Sequence, residues 1–276
     1  MSLTLDGTSG VTFTDSTLVG TSNSMGMRNR IINGNMAIDQ RNSGASQTFT
    51  AAAALAYSVD RWYGYCTGAN VTGQRVTNTG VAGTSPSQYA YQFTGAASVT
   101  AIGFAQRIEA VNCYDLANTT ATLSVNLSNS VLTTVTWTAY YANSTDTFGT
   151  LASPTRTQIA TGTFTVTSTL TRYSTQISIS SAATTGIEIV FTVGAQTSGT
   201  WTIGNVQLEP GIVATPFERR LITTELQLCQ RYFQMRLGSQ GSNGTTVQIG
   251  YGNARSTTQA FFQDKLQVVM RIAPSL

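Results

Sequence analysis

Histidine is absent from this sequence. Its absence removes the commonest general base and every serine or cysteine triad built on imidazole. It also removes most zinc geometries. Acid–base work is left to twelve carboxylates: Asp6, Asp15, Asp39, Asp60, Glu109, Asp115, Asp146, Glu188, Glu209, Glu218, Glu225 and Asp264. Glycoside hydrolysis needs only two, but no spacing pairs them. Glu109 and Asp115 flank Cys113 around a turn, while Asp39 and Asp60 lie near arginines, so surface or arginine-paired structural roles are expected. Cys66, Cys113 and Cys229 are odd in number, far apart and without Cys-x-x-Cys spacing, which reads as buried free thiols made in a reducing cytoplasm. No glycine loop precedes a lysine as a phosphate cradle would require. No catalytic residue, cofactor or metal is expected; a cation held by oxygens of the Asn33-Gly34-Asn35 turn is kept as an alternative.

Sugar binding makes a different demand: an exposed ring with polar neighbours, whose face stacks on the apolar face of a pyranose. Strand alternation across Asp60-Arg-Trp-Tyr-Gly-Tyr65 places Trp62 on one side and Arg61, Tyr63 and Tyr65 on the other. If Trp62 points inward, those three form a candidate glycan site, and Tyr89 with Tyr91 forms a second. The opposing reading packs these tyrosines and leaves only their hydroxyls wet. Trp62, Trp137 and Trp201 are assigned to the core by the same logic.

Charged residues make up 10% of the 276, against roughly 25% in an average soluble domain. Thr, Ser, Gly and Ala take their place, as suits strands whose outward positions are hydroxyls. The net charge of +3 rests on 14 arginines and one lysine, scattered apart from Arg219-Arg220. No nucleic-acid stripe results, and arginine in such excess suits bidentate pairing. No apolar run reaches 18 residues, and the opening lacks the regions of a signal peptide. Neither a nucleic-acid partner nor membrane insertion is expected.

The elements that must position these residues are mostly strands. Trp201 and Ile203 share a parity that Val206 and Leu208 do not. An extra residue at Gly204-Asn205, a β-bulge, would keep all four on one core. Upstream, strands are read at 71–77, 87–93, 103–109, 121–127, 135–141, 161–166, 172–179, 187–193 and 200–208, with a first strand over Asn29 to Gln40. So many one-sided strands before any convincing helix imply two sheets packed face to face. The expected class is mainly β, a jelly-roll-like β-sandwich followed by one helix and the start of a second β unit. The helix is read over Glu218 to Leu237, with Ile222, Leu226, Cys229 and Phe233 along one stripe. Strands at 245–251, 259–262 and 266–270 belong to the unit that follows, and the pattern stops partway through it, which reads as a fragment.

Several ordered motifs carry a family resemblance: Leu5-Asp-Gly-Thr-Ser-Gly-Val-Thr-Phe13, Asn29-Arg-Ile-Ile-Asn-Gly-Asn-Met-Ala-Ile-Asp-Gln-Arg41 and Asp60-Arg-Trp62, then Gln207-Leu-Glu-Pro-Gly211, Ala214-Thr-Pro-Phe-Glu218 and Leu228-Cys-Gln-Arg-Tyr-Phe233. In this order they resemble tail-fibre and receptor-binding proteins of tailed bacteriophages. The resemblance implies a virion-attachment segment at 1–25, a sandwich like those of carbohydrate-binding modules at 26–217, a helix at 218–237 that registers three chains, and the start of a C-terminal β unit at 238–276. It further implies a homotrimer joined through Ile222, Leu226, Cys229 and Phe233. Its partners would be tail or baseplate proteins and a host surface polysaccharide, and its place the virion tail, after assembly in the bacterial cytoplasm. A tailspike-type polysaccharide depolymerase, and a neck or collar appendage without receptor binding, are the alternatives.

Overall fold

A computed structural model describes residues 27–51, 55–78, 88–235, 256–257 and 266–273 in full. It adds the backbone of seven short strands: β1 (Thr4–Asp6), β2 (Gly10–Thr12) and β3 (Leu18–Val19) near the start, and β16 (Ser239–Gln240), β17 (Val247–Gln248), β18 (Gly252–Ser256) and β19 (Gln259–Phe262) near the end. The chain divides into two units, Met1–Arg220 and Leu221–Leu276. The turn cluster expected at 79–86 and most of the break expected at 238–244 lie outside the described residues.

The first unit is a β-sandwich of two six-stranded antiparallel sheets. Its strands are β4 (Gln47–Phe49), β5 (Ala56–Tyr57), β6 (Tyr63–Thr67), β7 (Val71–Thr77), β8 (Tyr89–Thr94), β9 (Ala101–Ile108), β10 (Thr120–Asn129), β11 (Thr134–Ala142), β12 (Arg156–Thr165), β13 (Thr171–Ser178), β14 (Ile187–Val193) and β15 (Thr200–Pro210). Sheet I has the order β13-β10-β15-β8-β7-β4, and sheet II the order β12-β11-β14-β9-β6-β5. The nine strands read between 71 and 208 are all present, most within two residues at either end, whereas 266–270, read as a strand, is bend and irregular chain.

The alternation explains the layers. On β14, Ile187, Ile189 and Phe191 point into the core, while Glu188, Val190 and Thr192 point away from it. Trp62, Trp137 and Trp201 are core residues. Tyr91 of sheet I stacks on Phe104 of sheet II with centroids 4.9 Å apart and so bridges the layers, while Trp62 stacks on Phe104 at 4.9 Å and Phe93 on its sheet I neighbour Trp201 at 5.3 Å. The bulge is where parity requires it. Ser124 pairs with Gln207 and Asn126 with Gly204, so Asn205 and Val206 together oppose Val125. Asn205 adopts φ +47°, and Val206 and Leu208 are thereby returned to the core.

The strand expected over 29–40 is not formed. Asn33 and Met36 take φ +56° and +57°, left-handed conformations that end strand pairing. The segment instead fills the edge of β15 beyond the bulge. Gly34 accepts from the Val206 amide at 2.9 Å, and a β-carbon on Gly34 would collide with the Val206 carbonyl. Asn29 adds a side-chain clamp: Oδ1 accepts from the Ile31 and Leu208 amides, and Nδ2 donates to the Val206 carbonyl. Asn33 Oδ1 accepts from the Ile38 amide while its Nδ2 donates to the Ile38 and Asp60 carbonyls, so the oxygens weighed for a cation are engaged by protein.

The motif after Trp201 closes a buried knot. Glu209, fully enclosed, accepts from Gln207 Nε2 at 2.8 Å, from the Thr215 amide at 2.9 Å and from Thr215 Oγ1 at 2.6 Å. Gln207 Oε1 accepts from the Glu218 amide at 2.8 Å. The Glu218 carboxylate accepts from the Arg28 and Asn29 amides, so it is a clasp rather than the helix start expected there.

In the second unit the helix is shorter than its stripe suggested: α1 spans Ile222–Gln230. A turn at 231–232 ends it. Cys229 is buried and Ile222 exposed, with Leu226 and Phe233 between these limits. Among the described residues no helix is long and apolar enough to cross a membrane.

Candidate functional site

The outward face of sheet II departs from the threonine-rich pattern of the other strand exteriors. Register places Tyr63, Ala105, Val190 and Thr138 in one row across β6, β9, β14 and β11. Arg107, Glu188 and Tyr140 form the next row but one. Tyr63, Ala105 and Val190 make a small apolar cluster separate from the main core, with Leu55, Tyr65 and Tyr140 packed against it.

Tyr65 lies over Gly103, its cross-strand partner. A β-carbon on Gly103 would collide with Cζ and Cε1 of the ring and sit 2.5 Å from its Oη. The ring therefore rests flat on the strand, half-buried rather than enclosed. Tyr57, 40% exposed, meets Tyr63 edge-on at 5.9 Å, and the Arg41 guanidinium lies 5.3 Å from the Tyr57 centroid.

Beneath these rings sits one carboxylate. Glu188 is 0% exposed. Its Oε1 accepts from the Tyr63 hydroxyl at 2.5 Å and from Arg107 Nε at 2.6 Å, and Arg156 Nη1 donates to Oε2. Arg107 also donates to the Gly149 carbonyl at 3.0 Å and packs between the rings of Tyr63 and Phe148. Arg156 lies 4.2 Å from the Tyr140 centroid. Burial works against the charge on either arginine, yet Glu188 more than offsets it and raises both pKa values. Burial, then the Glu188 charge, pushes the Tyr63 phenol well above its ordinary range. Burial also raises Tyr65, which feels Arg156, Tyr140 and Glu188.

The arrangement is suited to holding, since three donors on one carboxylate fix it as an anchor. No second carboxylate is among its partners. The other buried acids are similarly engaged: Asp60 with Gln40 and Arg41, and Asp39 with the Asn42 and Gly44 amides and, at 4.0 Å, Arg75. Among the described residues no group of three or more metal-binding side chains occurs.

Of the five residues proposed from alternation, Tyr65 is on this face and half-buried; Tyr63 shares its parity but requires correction, being 0% exposed with its hydroxyl on Glu188, so it supports the face and offers no ring to a sugar. Arg61 is buried at φ +75° in the turn before β6 and donates to the Arg107 carbonyl, behind the site rather than in it. Tyr91 requires correction: it is 1% exposed, enclosed by Phe49, Phe93 and Phe104, and offers no face to a sugar. Tyr89 is half-buried with the Arg75 guanidinium 4.4 Å above its ring. Sequence reasoning missed Arg107, Tyr140, Arg156 and Glu188, which alternation alone could have put on the outer face but not beside one another. A hollow of about 260 Å³ lies on sheet I, lined by Asn78, Gln92, Ser128, Ser168, Leu170, Thr202 and neighbours. None of its lining residues is aromatic or charged.

No family model matches the chain, and no curated protein matches it. Among solved structures it is similar to the enzymatically active domain of tailspike protein 4 of bacteriophage CBA120, at 16% identity and TM-score 0.43, over 67% of this chain and 22% of that one. It is similar to TmCBM61 in complex with β-1,4-galactotriose, at 13% identity and TM-score 0.40, over 67% of this chain and 99% of that one. The family 11 carbohydrate-binding module of the cellulosomal cellulase Lic26A-Cel5E of Clostridium thermocellum gives 12% identity and TM-score 0.37, over 63% of this chain and 99% of that one. The match to the tailspike spans less than a quarter of that protein's length.

Proposed function

We propose that this protein is a non-catalytic structural and adhesion component of a phage tail, whose sandwich binds a host-surface glycan across the outward face of sheet II. The supporting observation is the Tyr65 ring laid flat over Gly103, within an apolar cluster that also holds Tyr63 and Tyr140. A flat ring on a sheet face, flanked by guanidinium donors, fits a pyranose: stacking for its C–H face, hydrogen bonds for its rim. The phage assignment rests on the ordered sequence motifs. In this reading residues 1–25 attach to the virion, and three chains register through Ile222, Leu226, Cys229 and Phe233.

Affinity electrophoresis through gels containing surface polysaccharide from candidate hosts tests the binding. Retardation of the wild type, lost in Tyr65→Ala, is the expected result; free migration in every polysaccharide would refute it. Measuring the mass of the assembled particle tests the trimer, which a stable monomer would contradict. Release of reducing ends from any retarding polysaccharide would favour the depolymerase alternative.

A further inference from the structure

The cluster under the tyrosines holds more positive charge than its buried acid requires. One guanidinium would balance Glu188; two are present, so Arg107, Arg156 and Glu188 together carry a net charge of +1. Each arginine spends only part of its donor fork. Arg107 uses Nε on Glu188 and Nη2 on Gly149, and Arg156 uses Nη1 on Glu188. Arg107 Nη1 and Arg156 Nη2 meet no acceptor among the described residues, and neither is sealed from solvent. Arg156 Nε is sealed and still unpartnered. The two side chains keep 22% and 13% of their surface exposed. They flank Tyr63 and Tyr140 on the face where Tyr65 lies.

A guanidinium locked by one carboxylate and a ring, with a free arm toward solvent, is pre-organised for a second carboxylate. We propose that the glycan bound on this face is acidic, with the carboxylate of a uronic acid residue held between the free arms of Arg107 and Arg156 while a neighbouring ring stacks on Tyr65. This rests on the glycan-binding reading above and narrows it to a substrate class. Neutral glycans would leave the surplus charge unanswered. Glu188 then acts as a positioning residue, fixing both guanidiniums without touching the sugar.

The test uses the whole chain and polysaccharides matched in backbone but not in charge: a uronic acid polymer, the same polymer with its carboxylates reduced to primary alcohols, and an acidic and a neutral polysaccharide from candidate hosts. The acid form is expected to bind on the order of tenfold more tightly than its reduced form. That preference should shrink as salt rises from about 0.05 to 0.5 M, because partly exposed charge pairs are screened. Arg156→Gln leaves Arg107 and Tyr63 on Glu188; it should abolish the preference, so that the acid and reduced forms bind alike. If that variant does not fold, the salt dependence of the wild type decides alone. Equal binding of acid and reduced forms, insensitive to salt, overturns the acidic-ligand inference and leaves glycan binding standing. Binding to none of the four overturns both.

Discussion

The phenol ring of Tyr65 occupies the volume that a β-carbon on Gly103 would need, with Oη 2.5 Å from that position. Gly103 is extended, in the middle of β9, and shows no left-handed backbone that would by itself demand glycine. The absent side chain serves the ring. Gly103→Ala should therefore lift Tyr65 off the sheet while the strand persists. The expected loss in glycan affinity is about 1–2 kcal/mol, or roughly tenfold in Kd. Tyr65→Ala should show a similar loss by removing the ring outright. Calorimetric titration with a retarding polysaccharide, beside a thermal melt, separates lost binding from lost fold.

Glu188 is expected to matter more for stability than either tyrosine. Truncating it to alanine leaves two guanidiniums facing each other with their shared counter-charge gone, and breaking a buried pair in this way costs about 3–5 kcal/mol. Tyr63→Phe removes one hydrogen bond to a charged acceptor and should cost about 1.5–3 kcal/mol, since Arg107 and Arg156 still satisfy the carboxylate. Urea unfolding of the two variants checks the order. Equal losses would mean that the arginines do not depend on Glu188 for their placement.

Alkaline pH should weaken the fold ahead of any effect on the arginines. Burial pushes the Cys113 thiol up to about 12 from 9.0, and lifts Tyr63 and Tyr65 above 10.0. Each folded-state pKa exceeds its unfolded value, so the native chain stays neutral where the unfolded chain ionises. The associated stability is complete below pH 9 and falls as pH rises, first through Cys113 and Cys66, both raised by burial, and then, above pH 10, through the tyrosines as well. Each group adds about 1.4 kcal/mol of loss per pH unit while only the unfolded form ionises. Urea midpoints at pH 8, 9, 10 and 11 should be flat and then decline. Cys113→Ala should reduce the first part of the decline and leave the share that Cys66 contributes.

How far sequence could be read depended on what fixed each feature. Alternation along Ile187, Ile189 and Phe191 is a one-strand property, so β14 was legible to the residue. The bulge at Asn205 was legible for the same reason, because a parity conflict within one strand has few solutions. The segment over 29–40 reads as a strand and forms none. Its apolar pairs fit an edge, but Asn33 and Met36 are left-handed, and the Gly34 pairing and Asn29 clamp are made with Val206 and Leu208, about 175 residues away in sequence. Tyr91 was misassigned because alternation gives parity and not direction: it shares a face with Phe93, and that face is the core. The Glu188 cluster draws on β6, β9, β12 and β14, and the register between them is long-range.

Asn205 offers the last prediction, in which two substitutions move stability in opposite directions. The residue is 2% exposed at φ +47°, and neither its Oδ1 nor its Nδ2 finds a partner among the described residues. Its amide thus supplies no hydrogen bond to offset its burial, and what the bulge requires of it is tolerance of the left-handed backbone. Glycine meets that requirement at no steric cost and removes the unsatisfied amide, so Asn205→Gly should be stabilising by about 1 kcal/mol. A β-branched side chain does not. Asn205→Val should cost about 2 kcal/mol, because the two γ-carbons on its β-carbon crowd the left-handed backbone that unbranched asparagine tolerates. Val206 and Leu208 keep their inward parity in both variants, which makes the comparison one of backbone strain rather than of core content. Denaturant midpoints for the pair decide it. If valine were tolerated as well as glycine, the bulge would be relocating along β15, and its position would be set by the Gly34–Val206 contact instead of by the conformation of Asn205.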